Sequence, residues 1–190
     1  MKEVTRNDAI EAIKIILRWI GEDPTREGLH DTPERVIKSY EEHFSGYNAD
    51  LQKIFNVSFS EIANYQDLII LKDIMFESFC EHHMAPIIGH VHIAYIPNKK
   101  VIGISKLARV VEVFAKRLQI QERMTAQIAY AIFSKVEPLG VSVIVDGEHH
   151  CMTTRGVKSH QSKMRTQTSL GNLKTNPEEM KKFMDSIIRP

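Results

Sequence analysis

An α+β architecture is predicted for this chain: an antiparallel sheet with a helix pair on one face, preceded by an N-terminal helical region. Three observations carry that prediction. The first third places apolar residues at helical spacing, two β-rich pairs of segments follow, and two helical patterns lie between the pairs.

Ile10, Ile13, Leu17 and Ile20 make an apolar helical stripe that stops at Gly21. Gly21 to Asp31 is rich in charge, Gly and Pro and reads as a loop. Thr32-Pro33-Glu34 then starts a helix with a capping hydroxyl and a proline at the first helical position. Its face is Val36, Ile37, Tyr40 and Phe44, and Ser45-Gly46 closes it. Residues 1–62 are therefore taken as a helical region for packing or assembly, and residues 63–190 as the main domain. Leu68 to Phe79 is β-rich, and Gly89 to Ile96 alternates, with Val91, Ile93 and Tyr95 opposite His90, His92 and Ala94. Pro97 to Lys100 is expected to turn a hairpin, with Val101 to Ile104 as its return strand. Ser105 is expected to cap a helix reaching about Arg117, and a second helix runs from about Gln121 to Val136 until Pro138 and Gly140 break it. Val141 to Val145 is a β-branched strand, Lys163 to Leu170 a further one, and Asn176 caps a last helix on Met180, Phe183 and Ile187.

Composition bounds the function. A net charge of +1 with 43% hydrophobic residues describes an ordinary globular chain and gives no whole-chain argument for nucleic acid or membrane. No run of residues approaches the ~20 apolar positions of a membrane span, and Met1-Lys2-Glu3-Val4 opens no signal peptide, so a cytoplasmic setting is expected. Charge is nonetheless uneven. Cys151 to Asn176 holds no acid but includes Arg155, Lys158, Lys163, Arg165 and Lys174, a stretch read either as a solvated surface or as a seat for an anionic substrate.

The chemistry concentrates in Cys80-Glu81-His82-His83 and His149-His150-Cys151, which hold the chain's 2 cysteines and four of its 9 histidines. Two thiolates and an imidazole are a preferred zinc set, and three protein ligands leave a fourth position open. A Cys80–Cys151 disulfide is the bland alternative, disfavoured in a reducing compartment. Cys80 and His83 are three apart and would face opposite ways on a strand. They can share one ion only if the chain turns, for which Met84-Ala85-Pro86 is suited. His82 then points elsewhere and becomes a candidate acid or base. His149 and Cys151, two apart, face the same way if the strand runs through both, which places His149 beside the metal for proton transfer. His150 is assigned a structural role, as are His30, His43, His90 and His92. Glu122, Ser105, Lys106 and Arg109 each open a helix, and taken singly each suits its helix terminus.

Together these strings resemble the GTP cyclohydrolase I family. The likeness rests on Cys80-Glu81-His82-His83, on Gly103-Ile104-Ser105-Lys106-Leu107-Ala108-Arg109 and on Gln119-Ile120-Gln121-Glu122-Arg123-Met124-Thr125. It continues in Glu148-His149-His150-Cys151-Met152, in Thr154-Arg155-Gly156-Val157 and in the N-terminal Asp31-Thr32-Pro33-Glu34-Arg35-Val36. The resemblance implies a tunnelling fold (T-fold) whose sheets join into rings, a homodecamer of stacked pentamers, and GTP as substrate. It also implies one zinc ion per subunit on Cys80, His83 and Cys151, with His82 and His149 in acid/base roles and Ser105 near the ribose. Glu122, with Gln121 beside it, would read the guanine edge. Lys106, Arg109 and Arg155 would face the triphosphate, and Arg35 and Lys38 would reach in from a neighbouring subunit. The implied reaction converts GTP and water to 7,8-dihydroneopterin triphosphate and formate. Departures from the family pattern are Leu118 in place of a usual proline, Asp146-Gly147 ahead of Glu148, and His150 between His149 and Cys151. Two rivals are a different T-fold enzyme of pterin or deazapurine metabolism and a non-catalytic, zinc-stabilised binding module with a fourth protein ligand.

Overall fold

The computed structural model describes residues 4–56, 58–59 and 65–188. The chain divides into two compact units, Met1–Ser45 and Gly46–Pro190. The division falls earlier than the change of composition near residue 62, because the short helix at Leu51–Phe55 packs into the core of the second unit through Leu51, Ile54 and Phe55.

In the first unit, α1 (Arg6–Trp19) opens on a capping box: the Asp8 amide donates to Thr5 Oγ1 at 3.2 Å, and the Thr5 amide donates to Asp8 Oδ2 at 2.9 Å. α2 (Thr32–His43) starts one residue earlier than expected. Thr32 is already helical, Asp31 holds the cap position without capping a backbone amide through its side chain, and Pro33 supplies the preset φ. The loop between them contains a 3₁₀ turn at Glu27–Leu29. Arg6 joins the helices by reaching Glu34 at 2.6 Å and Glu41 at 2.9 Å.

The second unit continues with a 3₁₀ turn around Ser45–Asn48 and α3 (Leu51–Phe55), then β1 (Ser58–Phe59), β2 (Ile69–Cys80), β3 (Pro86–Ile96) and β4 (Val101–Ile102). α4 (Ile104–Ala115), β5 (Leu118–Gln119), α5 (Gln121–Val136) and β6 (Gly140–His149) follow, and α6 (His150–Thr153), β7 (Met164–Gly171), α7 (Asn172–Thr175) and α8 (Pro177–Ile188) complete it. Five strands form one sheet in the order β5-β2-β3-β6-β7, antiparallel except where Phe79 and Cys80 pair in parallel with Leu118 and Gln119. β4 is not the return arm of a hairpin. It pairs with β1 in a separate two-stranded sheet, since Pro97-Asn98-Lys99-Lys100 leads the chain away from β3.

The expected alternation along β3 decides the layers. Val91, Ile93 and Tyr95 face Leu107, Val110 and Phe114 of α4 and Met124, Ile128 and Ile132 of α5, in one buried core with Val141, Val143 and Val145 of β6. Each such side chain contributes about 1.5–3 kcal/mol on burial. The opposite face is also covered at one end: Ala94, Ile96 and Ile144 pack under Leu173 of α7 and Phe183 of α8. Asn176 caps α8 as expected, its Oδ1 accepting from the Glu178 and Glu179 amides at 3.0 and 3.3 Å. Farther along that face, buried His92 accepts the Asp73 amide on Nδ1 at 3.2 Å, and its Nε2 lies 3.5 Å from Asp146, itself gripped by both arms of Arg165. The structural assignment of His92 holds. No helix among the described residues is long and apolar enough to cross a membrane.

Candidate metal centre

β2 delivers Cys80 to the end of the sheet and the chain then turns. Cys80 donates its amide to the Ala85 carbonyl at 2.8 Å, the Met84 amide returns to the Cys80 carbonyl at 2.8 Å, and Met84 takes a left-handed conformation at φ 51°. That tight turn, expected from Met84-Ala85-Pro86, sets Cys80 and His83 on one side. Their Sγ and Nδ1 atoms are 3.9 Å apart. The His82 and His83 rings sit edge to face at 75° with centroids 6.3 Å apart, and His82 Nδ1 also comes within 3.8 Å of Cys80 Sγ, although only His83 joins the three-residue donor set.

The other half of the centre arrives by a route the sequence does not suggest. His149 is the last residue of β6, but Cys151 lies in the helical turn α6, so the two do not share a strand face. It is the helical turn that brings the thiol round. Donor atoms of Cys80, His83 and Cys151 all lie within 4.8 Å of one another, and both cysteines are free thiols. An ion with Zn–S bonds of about 2.3 Å and Zn–N bonds of about 2.0–2.1 Å, held tetrahedrally, places neighbouring donors a little under 4 Å apart, so this donor set fits zinc with little motion. Burial and the neighbouring Cys80 sulfur raise the pKa of the Cys151 thiol. Burial lowers the pKa of His149 below its ordinary value, against a hydrogen bond with the Gly147 backbone and the field of Glu122. Glu122 is therefore close enough to act on His149 electrostatically.

Among the remaining predicted site residues, Glu122 is exposed at the start of α5, whereas Gln121 is fully buried. The Gln121 amide nitrogen reaches the Val145 carbonyl at 3.0 Å, the Met164 carbonyl at 2.9 Å and Thr166 Oγ1 at 3.1 Å, while its oxygen is enclosed without a partner. Arg155 is exposed in the loop after α6. Ser105, Lys106 and Arg109 lie in the first turns of α4. Gly103, not Ser105, holds the cap position, and no side chain caps that helix. Arg109 lines a groove of about 340 Å³ with Ile74, Met75 and Phe76 of β2. Arg35 and Lys38 are exposed on α2, Arg35 reaching Asp31 at 3.1 Å.

Residues 9–188 match the family model described as GTP cyclohydrolase I. The chain belongs to the GTP cyclohydrolase I family. It is 53% identical over 180 residues to GTP cyclohydrolase 1 of Sinorhizobium fredii, an alignment covering 95% of this chain and 88% of that protein. It is 51% identical over 185 residues to the Maricaulis maris enzyme of that name, covering 97% and 90%. With that of Pelagibacter ubique the identity is 48% over 186 residues, covering 98% and 92%. The antiparallel sheet and its helix pair are thus the T-fold of this family. Leu118, one departure from the family pattern, has a use that proline could not serve: its amide donates to the Tyr47 hydroxyl at 3.1 Å. Residues that motif reasoning passed over also surround the centre. Glu81 is gripped by Arg123, and Gln119 accepts the Glu81 amide at 3.1 Å.

Proposed function

We propose that this chain catalyses the GTP cyclohydrolase I reaction, converting GTP and water to 7,8-dihydroneopterin triphosphate and formate, as the first step of pterin and tetrahydrofolate synthesis. The convergence of Cys80, His83 and Cys151 from positions about seventy residues apart, in a chain of this family, carries the proposal. These three residues would hold one zinc ion per subunit. Zinc bound there supplies Lewis acidity that brings the pKa of water towards ~7, the chemistry that hydrolysis at purine C8 requires.

The protein's own groups do the rest. His82, beside the centre but outside the donor set, holds the proton for N7 as the imidazole ring opens. His149, kept neutral by burial, takes and returns protons during formate release and ribose isomerisation, with Ser105 as a further carrier. Glu122 presents its carboxylate to the guanine edge, with Gln121 behind it. Lys106, Arg109 and Arg155 neutralise the triphosphate, joined by Arg35 and Lys38.

A single copy supports only part of this site. α4 ends at Ala115, two residues before the strand that pairs with Phe79 and Cys80, so Ser105 sits roughly 15 Å back along the helix axis from that end. The triphosphate contacts on α4 are therefore assigned to a second copy. Among the described residues, β2 from Ile69 to Ser78 and β7 each lack a strand partner on their outer edge, which suits sheets joined into rings and the decamer of the family pattern. A cytoplasmic setting accords with the two free thiols. The test is formate release from GTP. Purified protein should produce formate in step with its zinc content, and Cys151→Ser should lose both together. Retention of full metal and full formate production in that variant would overturn the assignment. A metal-edge spectrum with four protein ligands and no water would favour the non-catalytic module instead.

A further inference from the structure

The two halves of the metal centre come from strands that are not neighbours. β3 lies between β2 and β6, with Phe79 paired to Pro86 and Ile87 paired to His149, so the two backbones are roughly 10 Å apart where they end. The ladders through β3 set that spacing for the strands, while the turns that carry Cys80–His83 and Cys151 need anchors of their own. Free thiols and an imidazole do not attract one another strongly enough to anchor them.

The first turn of α5 touches the Cys80–His83 turn and, on the other side, the strands that lead to and flank His149. On the β6 side, the Gln121 amide nitrogen donates to the Val145 carbonyl of β6 and to the Met164 carbonyl and Thr166 hydroxyl of β7. Thr125, one turn on, shares the Thr166 hydroxyl at 2.6 Å and donates to the Gln121 carbonyl at 2.7 Å. Gly147, two residues before His149, lies against Gln121 Oε1, which a methyl group there would have to displace. On the β2 side, the Arg123 guanidinium grips the Glu81 carboxylate inside the Cys80–His83 turn. It also donates to Gln119 Oε1 at 3.1 Å and to the Leu118 carbonyl at 3.2 Å. Gln119 is itself buried, donating to the Phe114 carbonyl at 2.8 Å and to Gln127 at 2.9 Å, and its carbonyl accepts the Glu81 amide.

We infer that Gln121 and Arg123 are positioning residues, a bracket built on one helical turn that fixes the two halves of the zinc site at binding distance. Gln121 thereby serves the site from within the fold, its amide nitrogen spent on β6 and β7. The inference rests on the metal reading above and concerns the geometry of the free protein. Outer groups that orient metal ligands typically govern affinity by 10–100-fold.

The experiment measures zinc affinity of the intact protein by competition with a chelator, and the thiolate-to-metal absorption of the cobalt form. Gln121→Met and Arg123→Met should each weaken zinc by about 10–100-fold and shift the cobalt bands, with Arg123→Lys falling between them and the unsubstituted protein. Arg165→Met breaks the ion pair with Asp146 across β6 and β7 but leaves the bracket intact, so it should keep zinc affinity and spectrum even if its melting temperature drops. Unchanged zinc affinity and cobalt spectrum in both methionine variants would overturn the bracket, as would an equal loss in Arg165→Met. A GTP-over-ITP preference that collapses in Gln121→Met, with zinc affinity unchanged, would return Gln121 to the substrate. Failure of the unsubstituted protein to take up zinc through its thiols would sink the metal reading, and the bracket with it.

Discussion

α4 and α5 pack side by side on one face of the sheet and both begin with polar residues of the family pattern, yet only α5 begins at the metal centre. Its first turn contacts β6, β7 and the Cys80–His83 turn, and its Glu122 lies within electrostatic reach of His149. The first turns of α4 face a groove against the middle of β2 instead. Two helix starts on one face of the sheet thus meet different parts of the fold. In the proposed reaction the α5 start serves the site of its own chain and the α4 start that of a neighbour.

The largest effects should come from the α5 end. His82→Ala and His149→Ala should each lower kcat for formate release by about 10²–10⁴-fold while zinc content stays near that of the unsubstituted protein. Equal loss of zinc would move either histidine into the ligand set. Next in size is the effect that separates the helices. Lys106→Met should be nearly inactive alone, as His82→Ala is, but subunits of the two variants mixed and reassembled should regain formate production, because some sites then draw an intact α4 from one chain and an intact centre from another. A mixture no more active than its parts would place both helix starts in one chain's site and dissolve the comparison.

The smallest effect lies on the far face of the sheet. Burial lowers the His92 pKa, against the pull of Asp73 and Asp146 and with a smaller lowering from Arg165. The unfolded chain binds a proton near pH 6.5 that the folded chain resists, so this part of the stability is full above about pH 6.5 and declines as pH falls towards the lower folded value. Urea midpoints should therefore fall less between about pH 7.5 and 5.5 in His92→Gln than in the unsubstituted protein. Parallel curves would remove His92 from the pH response and leave only groups nearer the metal.

Much of this molecule is legible in residue order. α5 is where its periodicity places it, and α8 where periodicity and the Asn176 cap place it, because a helix of twelve or more residues with an apolar stripe carries its own signal. The turn at Met84 is likewise legible, since Cys80 and His83 cannot meet without it. Short elements are not. β5 is two residues long and exists only because Phe79 and Cys80 offer it a partner, and β4 joins β1 because of where the chain happens to bring Ser58 and Phe59. Tertiary context also overrode the simple strand rule at Cys151, which a helical turn carries to the centre.

The sequence by itself determined the donor types, their grouping into two clusters, and the alternation that gives β3 one wall in the core, since each depends on residues near in the chain. Only the tertiary structure decided that Gln121 is enclosed, that Arg123 grips Glu81, and that the starts of α4 and α5 adjoin different strands and turns. Those facts depend on which distant backbone groups are left in need of a hydrogen-bond partner once the sheet has formed, a quantity no local pattern encodes.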